Sequence, residues 1–219
     1  MTPEGRSALR VLALATTAGY VDAIGFVELH GMFTAAQTGN TTQVGVAIGN
    51  GDTATIAALG TVILLFFVGG VLASVFRRSL GAPRHAWLVE AVFLAIIQGM
   101  QWWQIGFEGS LFETVLLSVT MALQAQTHSR FSGVSMQTIV VTSNLLKFAD
   151  NIGGYLWKRR NGSATFPLTA ALPGLGWAGY FVGACLSMPA RHATSAFFLL
   201  PIPLLIAVAC IGTRDLDAE

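Results

Sequence analysis

Apolar runs as long as a lipid bilayer is thick recur along almost the whole of this 219-residue chain. A helix needs about 20 mostly apolar residues to cross the hydrocarbon core, so the chain has room for about six spans and little else. Charged residues make up only 11% of it, against about 25% in an ordinary soluble domain. We therefore predict an all-α integral membrane protein, with residues 1–219 forming a single membrane domain.

The predicted spans are residues 8–29, 54–76, 86–105, 111–127, 166–188 and 193–211. Two further stretches, residues 31–50 and 133–151, are long enough to cross but carry several polar side chains. If neither crosses and the N-terminus is cytoplasmic, eleven of the twelve lysine and arginine residues face the cytoplasm, and only Arg191 faces outward. This distribution obeys the positive-inside rule. We therefore expect cytoplasmic termini and two re-entrant or broken-helix segments that the rest of the protein shields from lipid.

The two polar stretches carry the same three-residue motif. In both copies a threonine and an asparagine flank a small residue: Thr38-Gly39-Asn40 and, 104 residues later, Thr142-Ser143-Asn144. Matching polar interruptions in two halves of a membrane chain point to a binding site. Threonine or asparagine can cap a helix that begins inside the membrane, and the N-terminus of such a helix attracts polar or anionic groups. The alternative is that both motifs are close-packing contacts between helices.

The similarity between the two halves extends beyond the motif. At the same offset Thr34 aligns with Thr138, and after a ten-residue insertion near residues 158–165 Gly69 aligns with Gly183. Each half then contains three predicted spans. Because three is odd, the halves enter the membrane in opposite directions, which is the inverted-repeat arrangement of many transporters. Repeat 1 covers about residues 8–105 and repeat 2 about residues 111–212; the alternative is chance similarity between two apolar stretches.

Asp22 is the most unusual single residue of the predicted spans. A carboxylate inside a span costs about 2.5–3.5 kcal/mol on insertion scales, so it should face the protein interior and have a partner there. It is either a proton-carrying or solute-binding group, or an anchor for the chain break that follows it. Its counterpart at the same offset is Gln126. The predicted solute site therefore consists of Asp22, Thr38, Gly39, Asn40, Gln126, Thr142, Ser143 and Asn144.

Other polar and reactive residues give weaker signals. Glu90 stands near the cytoplasmic end of its span and is expected to extend toward the interface. Cys185 and Cys210 lie inside apolar runs and are expected to be small buried hydrophobes. The four histidines lack metal-site spacing, so we expect no metal and no cofactor. The net charge of +1 gives no reason to expect nucleic acid. The spacing of Gly179 and Gly183 predicts close helix packing, within the bundle or in a homodimer.

The residues around Asp22 resemble a known protein family. Three segments carry the resemblance: Gly19-Tyr20-Val21-Asp22-Ala23-Ile24-Gly25-Phe26, Gly31-Met32-Phe33 and Gln37-Thr38-Gly39-Asn40-Thr41. They are similar to the signature of the DUF1275 (YoaK-like) family of bacterial inner-membrane proteins. The resemblance extends over the whole chain and implies a small multi-helix protein of the bacterial inner membrane, but it implies no biochemical activity. The chain departs from the family pattern at Ala36-Gln37, where His-Met is common, and at Ser143-Asn144 in the second copy, which is often T-G-T-like.

The function that these observations favour is transport. We predict a small inner-membrane transporter or permease for a polar or anionic small-molecule solute, working by alternating access in the lipid bilayer with Asp22 as a candidate proton carrier. A non-catalytic assembly or regulatory subunit is the alternative. A membrane-embedded enzyme fits less well, because the sequence has no nucleophile–base pair, no phosphate loop and no carboxylate–histidine cluster.

Overall fold

Helices dominate the structure, a computed structural model that describes residues 1–80, 83–103, 110–127, 130–160, 162 and 165–211. A two-residue hairpin and one 3₁₀ turn are the other regular elements of these residues. In chain order the elements are α1 (Pro3–Glu28), α2 (Gln37–Asn50), α3 (Thr53–Leu80), α4 (Pro83–Trp102), α5 (Leu111–Thr127), β1 (Arg130–Phe131), β2 (Val134–Ser135), α6 (Val141–Arg160), α7 (Leu168–Ala193), the 3₁₀ turn (Phe197–Leu199) and α8 (Ile202–Cys210). The all-α prediction is confirmed apart from the hairpin.

Three of the described helices, α1, α3 and α7, are long and apolar enough to cross a membrane. Their outward faces are apolar as well, most clearly on α3, where the exposed side chains include Leu64, Phe67, Val71, Leu72 and Val75. A continuous apolar surface of this kind is a liability in water but matches the hydrocarbon core of a bilayer. The chain is therefore a helical membrane protein.

Cys185 and Cys210 are exposed, so the expectation that they are buried is wrong.

The ends of most predicted spans differ from the structure, and two of the differences are instructive. The last span was expected to run over residues 193–211, but α7 continues to Ala193, a 3₁₀ turn follows, and α8 begins only at Ile202. Proline accounts for the late start of α8, because Pro201 and Pro203 lack the backbone N–H that a helix interior needs and fit only at its N-terminus. The span predicted at residues 86–105 ends at Trp102 as α4, and residues 104–105 lie outside the described part.

The closest helix contact joins α1 and α7. A Cβ atom added to Gly19 would lie 2.0 Å from the carbonyl oxygen of Tyr180, and one added to Gly183 would lie 2.0 Å from the carbonyl oxygen of Thr16. The two backbones therefore touch directly, which requires glycine at both positions. Leu12 contacts Gly179 and Thr16 contacts Gly183, so contacts advance in the same direction along both helices, and α1 and α7 are parallel.

A second, looser pair of the same kind joins α3 and α5. A Cβ atom on Gly69 would lie 3.0 Å from the Cα atom of Val119 and 3.1 Å from the Cβ atom of Ala122. The short helices lie against these pairs, α2 on α3 and α6 on α7, while α4 packs against α5 and α8. The two helices at the centre, α1 and α5, are linked by a hydrogen bond from Gln124 Nε2 to the carbonyl oxygen of Leu14 at 2.6 Å.

Two polar contacts lie near opposite ends of α1. Near its start, Arg10 is 1% exposed and donates from Nη2 to the carbonyl oxygen of Ile211 at 3.0 Å. Near its end, Glu28 is 2% exposed and accepts a hydrogen bond from Nε of Arg191 at 2.7 Å. The one basic residue that the sequence assigned to the outer side is thus neutralised by a partner on the neighbouring helix.

Candidate functional site

Asp22 is the centre of a hydrogen-bond cluster that holds the segment between α1 and α2. Its side chain is 1% exposed. Oδ1 accepts hydrogen bonds from the backbone N–H groups of Thr34 and Ala35, both at 2.7 Å, and from Thr34 Oγ1 at 3.0 Å. Oδ2 accepts one from the hydroxyl of Tyr180 on α7. Four donors compensate the charge of a buried carboxylate, so the geometry favours an anchor that is already satisfied over an exchangeable proton carrier.

Asn40 fixes the same segment from the side of α2. It is fully buried, and its Oδ1 accepts a hydrogen bond from the N–H of Phe33 at 2.9 Å. Its Nδ2 donates to the carbonyl oxygen of Phe33 at 2.7 Å and to Gln37 Oε1 at 2.9 Å. Gly39 leaves room for the aromatic ring of Phe33, because a Cβ atom there would lie 2.8 Å from that ring. The motif therefore fastens the entry to α2 instead of capping it.

The second motif makes the equivalent contact in the second half. Asn144 is 1% exposed, and its Nδ2 donates to the carbonyl oxygen of Gln137 at 2.8 Å. Gln137 stands 104 residues after Phe33, as Asn144 does after Asn40. Both asparagines thus bind the backbone seven residues earlier in the chain. This shared contact explains why an asparagine occupies both copies.

The threonine of the first motif does not cap its helix. The helix α2 begins at Gln37, its N-cap residue is Ala36, and no side chain caps it. Thr38 and Thr142 are exposed and Ser143 is partly exposed. The capping role predicted for these residues is therefore wrong for α2, where the asparagine amide takes over the task of holding the helix start.

In the second half, two glutamines occupy the place of Asp22, and only one of them binds the loop as Asp22 does. Gln124 is 2% exposed, and its Nε2 donates to Thr138 Oγ1 at 3.2 Å, as Asp22 binds the aligned Thr34. Gln126, the sequence counterpart of Asp22, is exposed and faces Gly70 of α3, with its Nε2 3.8 Å from a Cβ atom added there. Two residues turn a helix through about 200°, so one glutamine holds the loop and the other faces the neighbouring helix.

Gln126 lines a groove of about 620 Å³ between α3 and α5. The polar side chains of the groove come from three helices, namely Gln37 at the start of α2, Gln126 on α5, and Ser74 and Arg78 on α3. Its remaining walls are apolar residues of α3, including Phe66 and Phe67. An arginine, two amides and the N-terminus of a helix are groups that bind anions and polar molecules.

No metal centre is found among the described residues, where no three His, Cys, Asp or Glu side chains are grouped so that they could hold an ion. The structure does not bring the predicted solute-site residues together. Asp22 and Asn40 lie in one hydrogen-bond cluster, Asn144 lies in a second one beside Gln124, and Gln126 lines the groove. The side chains of Thr38, Thr142 and Ser143 are exposed or partly exposed.

Comparison with known proteins gives the family. The sequence model of the DUF1275 family, described as a protein of unknown function, matches residues 10–211. The chain belongs to this family. The chain is also 26% identical over 213 residues to the UPF0700 transmembrane protein YoaK of Bacillus subtilis (strain 168), with 94% of each chain covered. No solved structure matches the chain. The predicted DUF1275 membership is confirmed, and a transmembrane relative agrees with the apolar helices.

Two residues of this DUF1275 protein were missed or misjudged from its sequence. Tyr180 is missed, although the offset that aligns Gly69 with Gly183 also aligns Phe66 with Tyr180 and so reveals a hydroxyl group in an otherwise apolar span. Glu90 was expected to extend toward the interface, but it is fully buried. The pattern of α4 contains the signal, because Glu90 falls at helical spacing on the same face as the buried residues Leu94 and Ile97.

Proposed function

We propose that this protein is a small inner-membrane transporter that moves a polar or anionic solute by alternating access between two inverted three-span repeats. The observation that carries the proposal is a difference between two related helix contacts. On the α1–α7 side, Asp22 and Tyr180 are joined by a hydrogen bond across the contact. On the α3–α5 side, the aligned residues Gln126 and Phe66 line an open groove.

Helix contacts that occur in equivalent pairs support the repeat. With α1–α4 matched to α5–α8, the contact of α1 with α7 corresponds to that of α5 with α3, and the contact of α2 with α3 corresponds to that of α6 with α7. The contact of α4 with α5 likewise corresponds to that of α8 with α1. Such reciprocity is expected when two copies of one unit are related by a pseudo-two-fold axis.

Helix directions support opposite insertion of the two halves. Gln124 on α5 binds Leu14 on α1, and Ser132, which follows α5, binds Ser7 nearer the start of α1. Contacts that advance along α5 thus move back along α1, so these equivalent helices are antiparallel. The hydrogen bond from Arg10 to Ile211 O brings the end of α8 beside the start of α1, which fits a cytoplasmic position for both of these helix ends.

The α1–α7 contact and the α3–α5 contact differ in the way that alternating access requires. A transporter of this type closes the path on one side of its site while the other side is open. The α1–α7 contact has backbone atoms 2.0 Å from the Cβ positions of its glycines, whereas the closest approach at Gly69 is 3.0 Å. Tyr180 adds a hydrogen bond that Phe66 cannot make. In this proposal the tight α1–α7 contact is the closed side, and the groove beside α3 and α5 is the side that admits a solute.

The chemistry of the open groove favours an anionic or strongly polar solute. Arg78 lies in the last turn of α3, on the side where basic residues concentrate, so the groove opens toward the cytoplasm. Gln37 brings the start of α2 to the groove, and the N-terminal end of a helix carries a partial positive charge. The phenyl ring of Phe66 forms an apolar wall that accommodates the carbon part of an organic anion.

Solute flux through purified protein in liposomes tests the proposal. Uptake of radiolabelled monocarboxylates, dicarboxylates and phosphate is compared with uptake by protein-free liposomes. Replacing Gln126 by alanine should weaken solute binding about tenfold, because a hydrogen bond to a charged group contributes about 1.5 kcal/mol. Asn50→Ala, which removes an exposed amide outside the groove, is the matched control and should leave uptake unchanged.

A measurement that needs no solute complements the flux assay. In a variant with serine at Cys185 and Cys210, Gln126→Cys should react with a membrane-impermeant thiol reagent from the cytoplasmic side. Ser118→Cys on the same helix is the control and should stay unreactive, because Ser118 is fully buried. A Gln126→Cys variant that reacts from neither side, together with the absence of uptake, would leave a non-transporting assembly subunit as the better interpretation.

A further inference from the structure

Glu90 is an isolated carboxyl group in the interior of the helix bundle. Its side chain is fully buried, and neither of its oxygens has a hydrogen-bond partner among the described residues. Burying an ionised carboxylate without a partner is far more costly than burying the neutral acid. Asp22, by contrast, has donors for both oxygens. The group whose environment suits an exchangeable proton is therefore Glu90.

The neighbouring helix supplies a matching acceptor. Gln101 on α4 donates to Glu113 on α5 at 3.2 Å, and Ala86 and Leu123 share one hydrophobic cluster, so the two helices are antiparallel. Glu90 stands eleven residues before Gln101 on α4, and Gln124 stands eleven residues after Glu113 on α5. Equal numbers of residues cover equal lengths of helix. Glu90 and Gln124 therefore stand at the same height along the axes of two packed helices.

Gln124 has an acceptor to spare. Its Nε2 donates to Leu14 O and to Thr138 Oγ1, but its buried Oε1 has no donor among the described residues. An amide oxygen can only accept, so the partner that suits it is a donor such as a protonated carboxyl group. The two unsatisfied groups are thus complementary when Glu90 carries a proton and mutually repulsive when it is ionised.

No other ionisable group competes for this role on the elements that pack against α4. Within the described residues of these elements and of α4 itself, Glu113 accepts from Gln101 at one end of α5, and the 3₁₀ turn has no ionisable side chain. The remaining titratable or charged groups are Arg77 and Arg78 on α3, Arg84 and His85 on α4, and Cys210 on α8. All of these are exposed except His85, which is partly buried.

We propose that Glu90 is the proton-binding carboxyl of this protein and that its protonation state acts on the second motif through Gln124. The proton binds the Glu90 carboxylate to give the neutral acid, and Gln124 transmits the change to Thr138, which precedes the helix held by Asn144. Coupling of this proton to solute movement rests on the transport function proposed above. Asp22 then keeps the structural role of an anchor.

Infrared spectroscopy of the purified protein in liposomes tests the proton site without any solute. The carboxylic C=O stretching band should be present at neutral pH, disappear as the pH is raised, and be lost in Glu90→Gln. Glu113→Gln, which alters another buried glutamate on the facing helix, should keep the band. A titrating band that persists in Glu90→Gln would overturn the proposal.

Carbodiimide labelling of the unmodified protein covers the case in which the variant does not fold, since the reagent attacks protonated carboxyl groups in apolar surroundings. Mass spectrometry should find the adduct at Glu90, with a yield that falls as the pH rises, and labelling confined to other carboxyl groups would contradict the assignment. Flux separates this proposal from the transport function: solute uptake that remains pH-dependent in Glu90→Gln would retain the transporter but remove its coupling from Glu90.

Discussion

A single methyl group at Gly183 should separate α1 from α7. The added Cβ atom would lie 2.0 Å from the carbonyl oxygen of Thr16 and 2.8 Å from the backbone nitrogen of Tyr20. Ordinary contacts begin at 3.4 Å, so the helices must move apart by about 1.4 Å, the difference between 3.4 and 2.0. Both obstructing atoms belong to the backbone, and no side-chain rotation can relieve the overlap.

The cost of this separation can be estimated. Overpacking a core costs about 1–3 kcal/mol and occasionally more, and an overlap against rigid backbone belongs at the upper end. For a protein of this size about 1 kcal/mol corresponds to about 2–4 °C in Tm, so Gly183→Ala should lower the Tm by about 6–12 °C. Gly19→Ala should behave alike, because its Cβ atom would also lie 2.0 Å from a backbone oxygen. The separation should also break the hydrogen bond between Tyr180 and Asp22.

Thermal unfolding in one detergent, with Gly45→Ala as the control, measures the difference. Gly45 lies on α2, and a Cβ atom there would meet nothing within 4 Å. Alanine at a helical position with free space should stabilise slightly, by about 0.4–1 kcal/mol. Gly69→Ala, with its nearest contact at 3.0 Å, should fall between the two. Equal Tm values for Gly183→Ala and Gly45→Ala would refute the reasoning that direct backbone contact holds α1 to α7.

Two further predictions concern topology and pH. Arg159→Cys, at an exposed position of α6, should react with an impermeant thiol reagent only from the cytoplasmic side. Trp103→Cys, at a position that is 78% exposed at the other end of the bundle, should react only from outside. The reverse pattern in intact cells would invert the proposed orientation. Hydrogen bonds from the side chain and then the backbone of Thr55 hold the pKa of Asp52 below its usual range. Because the folded-state pKa is lowered, the contribution of Asp52 to the start of α3 is present above the usual aspartate range and lost as pH falls through the lowered pKa. Thr55→Val should raise that pKa in an NMR titration, and an unchanged value would contradict the assignment.

Much of the helix pattern follows from the sequence because it depends on local composition. Apolar length locates the long helices, and the motif marks the chain entering α2 and α6. The recurrence of asparagine at the same offset also has a local cause, since each asparagine binds the backbone seven residues before it. The late start of α8 follows from the position of its prolines, although the extent of the break depends on tertiary packing.

The partners of the buried polar groups were not predictable in the same way. Tyr180 reaches Asp22 across 158 residues of sequence, and a single span indicates only which face is buried, not which helix covers it. Gln124 holds the loop and Gln126 faces α3 because α5 differs in length from α1. The constant offset of 104 residues between the two motifs does not reveal this difference. The helix α1 continues to Glu28, whereas α5 ends at Thr127 and a hairpin follows. Ser132 and Gly133 turn this hairpin with positive φ angles of 48° and 78°, as a type I′ turn requires.

The distribution of donors around Asp22 has a consequence for how the chain is assembled during synthesis. Thr34 and Ala35, which bind Oδ1, leave the ribosome 12 and 13 residues after Asp22, whereas Tyr180 follows 158 residues after it. At about 5–20 residues per second, the first donors arrive within about 1–3 s and the last only after about 8–32 s. A carboxyl group without hydrogen-bond partners is costly in the hydrocarbon core, so the donors of the neighbouring loop compensate Asp22 first. The local hydrogen bonds therefore let the first helix enter the membrane before its partner helix has been made.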